Sequence, residues 1–179
     1  MYMRTTLRRS GGRGQRGAKF VVDWWVPTGA GKGGYLKPRI HVITLAVDDL
    51  ERSLAFYRSL GLESDGVIAD EFPGDDVMAA GAIAMFRLER GLVLAVFPRN
   101  ELAKDAKVPV SAPGSGPFSI GHAVGSRAEV DALLDAAEEA GATVTVKAYD
   151  RPFGVYSGYF QDPDGHLWEI LFNQSFQDV

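Results

Sequence analysis

The chain has 179 residues, 46% hydrophobic and 23% charged, with a formal net charge of −4. That is enough chain to bury a substantial core, and no collagen-like, coiled-coil or disordered composition dominates it. It contains no cysteine, which excludes disulfides, thiolate metal sites and cysteine nucleophiles, and no apolar run reaches the roughly 18 to 20 residues that span a bilayer.

The charge is unevenly spread. Residues 1–38 carry eight Lys/Arg against one acid, Asp23, a balance of +7, whereas residues 39–179 carry 11 basic and 22 acidic residues, a balance of −11. The first 38 residues therefore read as a basic, Gly/Arg-rich flexible extension. Its one apolar patch, Phe20 to Val26, is short and interrupted by Asp23, unlike the core of a secretory signal. Gly29-Ala30-Gly31-Lys32-Gly33 lacks both the glycine spacing and the Ser or Thr of a phosphate-binding loop. Arg-Gly repeats also suit nucleic acid phosphates, but the plain extension is the preferred reading. With neither leader nor cysteines, a cytoplasmic location is expected, without membrane or nucleic acid partners.

Residues 39–99 read as a first unit. Ile40 to Val47 alternates as a strand, with Ile43, Leu45 and Val47 on one face and Val42, Thr44 and Ala46 on the other. Asp48-Asp49 then caps a helix from Leu50 that shows an apolar stripe at Leu50, Leu54, Tyr57 and Leu60 and ends at Gly61. A polar loop around Pro73-Gly74-Asp75-Asp76 precedes two strands, Val77 to Leu88 and Leu92 to Phe97. Residues 100–117 read as a linker, charged at first and then rich in Pro, Gly and Ser.

Residues 118–174 repeat the order. Ser119 to Val124 is a strand, Arg127 to Ala140 a helix stopped at Gly141, and Thr143 to Lys147 a strand. A hairpin follows, in which Asp162-Pro163-Asp164-Gly165 turns between two aromatic-rich runs. Laid on the first unit, Phe160 falls on Phe86, Gly165 on Gly91 and Glu169 on Ala95, so the chain holds a two-fold internal repeat. Glu169 is the outlier of the last strand, a carboxylate between Trp168 and Ile170 that must face water or a pocket with a purpose.

The stretch Ile43 to Tyr57 resembles the opening signature, and Tyr159 to Glu169 the closing signature, of the vicinal oxygen chelate superfamily of glyoxalase, bleomycin-resistance and extradiol dioxygenase proteins. The resemblance implies an α+β fold in which two βαβββ modules form a curved mixed sheet around a cavity. In metal-dependent members, four cavity positions, usually His or Glu, hold a divalent ion that chelates two substrate oxygens. Here those positions fall on Val42, Ala95, Ser119 and Glu169. Val and Ala have no donor and a Ser hydroxyl is a poor one, so no cofactor is expected, a divalent metal being the alternative with His41 as fallback ligand. His41 and His122 fall on the opposite strand face, and His166 points away from Glu169.

Two readings of Glu169 stay open: a general base or ligand-binding carboxylate, and an inherited residue hydrogen-bonded to Thr44 or a nearby amide. Thr44, Ser119, Phe153, Tyr156 and Tyr159 are the ligand-binding candidates, while Trp168 is expected to pack beneath the helix. The preferred function is a small-molecule binder whose cavity lies between the modules, working as a homodimer. The alternatives are a metal-dependent lyase, isomerase or dioxygenase of the same superfamily with an atypical ligand set, and a non-catalytic interaction subunit.

Overall fold

The computed structural model describes residues 39–68, 81–114 and 116–174. The basic extension, the Pro73 to Asp76 loop and the start of the strand read from Val77 lie outside them. Residues 38–179 form one compact unit.

The first strand, β1 (Val42–Val47), follows its alternation, with Leu45 and Val47 buried and Val42 and Thr44 exposed. Helix α1 (Leu50–Ser59) starts where the Asp49 side chain accepts from the Arg52 amide at 3.0 Å, and gives way at Gly61, whose φ is +89°. Its buried face is wider than the sequence stripe, because Ser53 and Phe56 are covered as well as Leu54 and Tyr57. The short β2 (Val67–Ile68), which the alternation did not announce, β3 (Ile83–Arg87) and β4 (Val93–Pro98) complete the module. β4 lies parallel to β1 and antiparallel to β3, in the order β1-β4-β3-β2.

The segment read as a linker begins with a helix, α2 (Arg99–Ala106), which starts at Pro98 and stops at a left-handed Lys107. Only Arg99 and Ala103 of it are buried, so no apolar stripe marked it in the sequence.

The second module repeats the first. β5 (Ile120–Ala123) is followed by α3 (Arg127–Glu139), then β6 (Thr143–Asp150), β7 (Tyr156–Gln161) and β8 (Leu167–Phe172), in the order β5-β8-β7-β6. Ser126 caps α3 by accepting from the Glu129 amide, while the Glu129 carboxylate reaches back to the Gly125 amide, a reciprocal cap. β6 runs on to Asp150, past the expected Lys147, through two register shifts against β7.

The core joins the helix-side faces of both sheets. Tyr57 of α1 lies 5.4 Å from Phe86 in the first sheet and 5.9 Å from Trp168 in the second, and Phe56 lies 6.3 Å from Phe160, centroid to centroid. Shared burial of these rings explains why Phe56 is covered although it lies off the stripe. Trp168 packs on this side, as its alternation predicted.

The Asp162-Gly165 turn clasps the first module. Asp164 accepts from the Asp48 amide and Arg52 at 2.8 Å and from Ser53 Oγ at 2.6 Å. Asp162 takes the Tyr57 hydroxyl at 2.5 Å on one oxygen and the Asp164 and His166 amides on the other. Burial, with the Asp162 charge next, holds the Tyr57 hydroxyl well above the usual phenol range. His166 is buried and its Nε2 lies 2.9 Å from the Ala46 carbonyl, so that nitrogen carries a proton.

The two sheets are not closed around a cavity within the chain. Their helix-side faces make the core, while among the described residues nothing packs on their other faces, which expose Val42, Ile68 and Met85 on one and Val146 and Tyr149 on the other. Among the described residues no helix is long and apolar enough to cross a membrane.

Candidate functional site on the open face of the second sheet

Alternation in β8 puts Trp168 and Ile170 into the core and turns Glu169 to the open face. The hairpin register sets Tyr159 directly opposite Glu169 and Ser157 one step along the same face. Ser157, fully buried, donates to Glu169 Oε1 at 2.8 Å and receives Arg151 Nε at 2.6 Å. A guanidinium thus connects to a carboxylate through one hydroxyl.

Arg151 is also held by aromatic rings. Its Nη1 donates to the Tyr149 hydroxyl at 2.8 Å, and its guanidinium carbon lies 4.2 Å from the Tyr149 ring centroid and 5.1 Å from that of Tyr159. Burial first, and the Glu169 carboxylate next, push the Tyr159 hydroxyl above the usual phenol range. The cluster therefore offers a fixed cation, a carboxylate and two phenols on an uncovered sheet face.

The sequence candidates divide. Glu169 and Tyr159 come together here. Tyr156 points to the other side of β7, where its hydroxyl donates to Asp131 of α3 at 2.9 Å and Arg127 sits over its ring. Phe153 is 98% exposed in the turn before β7, at a left-handed φ of 64°, away from this cluster's hydrogen bonds and ring contacts. Thr44 lies exposed on the first sheet, so the carboxylate partner is Ser157 rather than Thr44. Ser119 precedes β5 and is exposed.

Arg151, Ser157 and Tyr149 were not singled out from the sequence. Ser157 carried a usable signal, because it alternates with Tyr159 on the face that also carries Glu169. Arg151 and Tyr149 carried none, since the register shifts in β6 break the count that would have aimed them.

The donor set does not suit a divalent ion. In register, Thr44 stands beside Ala95 and Gly121 beside Glu169, so neither these neighbours nor Val42 and Ser119 supply a second carboxylate or an imidazole. Among the described residues no group of three or more His, Asp or Glu is arranged to hold a metal ion. His122 lies on the helix side, in an apolar crevice with Tyr57, Leu60, Leu133 and Trp168. His41 is exposed just before β1, one residue out of step with Val42 and Thr44.

Repeated βαβββ modules with an open-faced polar cluster define a class of fold rather than one chemistry. Residues 39–170 match the model of the Glyoxalase/Bleomycin resistance protein/Dioxygenase superfamily, and the chain belongs to that superfamily. Among solved structures it is similar to a glyoxalase-related enzyme from Fulvimarina pelagi, at 32% identity and a TM-score of 0.63, covering 76% of this chain and 89% of that one. A lactoylglutathione lyase from Agrobacterium tumefaciens has 24% identity and a TM-score of 0.54, covering 79% and 98% respectively. A fosfomycin resistance protein from Listeria monocytogenes has 20% identity and a TM-score of 0.55, covering 81% and 100%, and these last two share the fold alone. No match is found among the curated proteins.

Proposed function

We propose that this protein binds a small organic molecule on the open face of the second sheet, without a divalent metal and as a homodimer. The observation that carries this reading is the chain Arg151–Ser157–Glu169 set between Tyr149 and Tyr159 on a sheet face that no other described element covers. A polar group held on both sides is pre-organised, so little ordering cost remains when a ligand arrives. The apolar open faces support the homodimer: Val42 is 52% and Tyr149 50% exposed, and a second copy would remove such side chains from water. A cytoplasmic location belongs to the same proposal.

The likeness to a glyoxalase-related enzyme supports a second reading, a lyase, isomerase or dioxygenase with Glu169 as base. There the carboxylate would take a proton from a ligand lying against Tyr159. Two measurements on the purified chain test these readings. Elemental analysis after incubation with nickel, zinc, manganese or iron is expected to find far less than one ion per chain. Amide-resolved NMR against a small-molecule library is expected to move resonances of β7, β8 and Arg151. One tightly held ion per chain, or ligand shifts confined to other surfaces, would overturn the proposal.

A further inference from the structure

We infer that the ligand of this site carries a compact organic anion, of carboxylate type, and that Arg151 is the residue that reads it. The inference rests on the proposed small-molecule site and names its ligand class.

Four other arginines, Arg52, Arg87, Arg99 and Arg127, each pair with an aspartate of the chain. Arg151 has no carboxylate within ion-pair distance among the described residues. Its two bonded nitrogens end on neutral hydroxyls, Nε on Ser157 and Nη1 on Tyr149. Nη2 has no protein partner among the described residues, and it is not one of the buried polar atoms lacking a hydrogen bond. The guanidinium therefore makes no direct ion pair, its nearest carboxylate being held off by one hydroxyl, and it keeps donor capacity at Nη2.

The rings deepen the case. Stacking on Tyr149 and the approach to Tyr159 hold the guanidinium in one orientation, so its entropy is already reduced before binding. A guanidinium held this way suits the fork of a carboxylate better than it suits a neutral group. A cationic ligand would be repelled by Arg151, and Glu169 already accepts from Ser157 on one oxygen. Glu169 then acts on an anion as a like charge set back behind Ser157, restraining its affinity.

The test uses three probes of one shape on the full chain at low ionic strength: phenylacetate, 2-phenylethanol and phenethylamine. Affinities come from amide-resolved NMR titration. Phenylacetate is expected to bind about tenfold tighter than the alcohol, the size of one charge-assisted hydrogen bond, with the amine weakest. Arg151→Met should reduce phenylacetate to the level of the alcohol, and Arg151→Lys should keep part of the preference. Glu169→Gln should strengthen phenylacetate binding. Because Arg151→Met also removes a partner of buried Ser157, Tyr149→Phe serves as a milder variant that loosens the guanidinium, and it should weaken phenylacetate alone.

If the amine or the alcohol binds the open face as well as the acid does, the inference falls while the small-molecule site stands. An acid preference that survives Arg151→Met has the same consequence. If none of the three shifts any open-face resonance, the site itself falls and the inference with it.

Discussion

At the scale of the residue, Tyr57 shows how one hydroxyl ties sequence to stability. It is buried among rings, donates to Asp162 and accepts from Trp168 Nε1 at 3.3 Å. Replacing it with Phe leaves a buried carboxylate oxygen without its donor, at a cost of about 1–3 kcal/mol, read as a lower urea midpoint. The pH dependence has a definite sign. The folded chain keeps the Tyr57 proton to higher pH than the unfolded chain, so its contribution is fully present below the ordinary value of 10.0 and is lost as pH rises from there through the folded value. Tyr57→Phe should therefore remove part of the alkaline loss of stability seen by circular dichroism. Gly158 is a second such position, where an added Cβ would lie 2.5 Å from Leu134 Cδ1 and 2.7 Å from the Val146 carbonyl. Gly158→Ala should cost about 1–3 kcal/mol by overpacking and lower the melting temperature. Glu169 was legible as an outlier because its neighbours are apolar, whereas Arg151 was not, since it joins through Ser157 from outside the alternating strands.

At the scale of the element, the Asp162-Gly165 turn does more than reverse the chain. Its two carboxylates satisfy the start of α1, the Asp48 amide, Ser53 and Tyr57, and so fasten the last hairpin to the first helix. Asp164→Ala would leave the Asp48 amide and Ser53 short of an acceptor and should cost about 2–3 kcal/mol, kept moderate because Arg52 is half exposed. Arg52→Ala should cost under about 1 kcal/mol for the same reason, and chemical unfolding of the two variants compares them directly. The turn itself was plain from its Asp-Pro-Asp-Gly letters, and its docking was not, because the acceptors' partners lie more than 100 residues earlier. Helix α2 escaped for a related reason: its inward side chain, Arg99, is charged, buried against Asp48 at 2.6 Å, and so interrupts any apolar stripe.

At the scale of the whole molecule, the open sheet faces make assembly the first thing to measure. Light scattering on the eluted protein is expected to give a dimer, and Met85→Lys on the first open face to shift it toward monomer with little change in circular dichroism, since Met85 is already 38% exposed. Residues 38–179 form a compact unit by themselves, so removing residues 1–37 should leave its urea unfolding transition in place. Either a monomeric wild type or a dimer indifferent to Met85→Lys would set the assembly proposal aside. The repeat, the order of strands and helices apart from β2 and α2, the burial of Trp168 and the face of β8 that carries Glu169 were determined by the sequence alone, because periodicity and turn chemistry act within a few residues. The clasp between the modules, the open faces of the sheets and the joining of Arg151 to Glu169 through Ser157 were decided only in three dimensions, where residues far apart in the chain, or offset by a bulge, come within hydrogen-bonding reach.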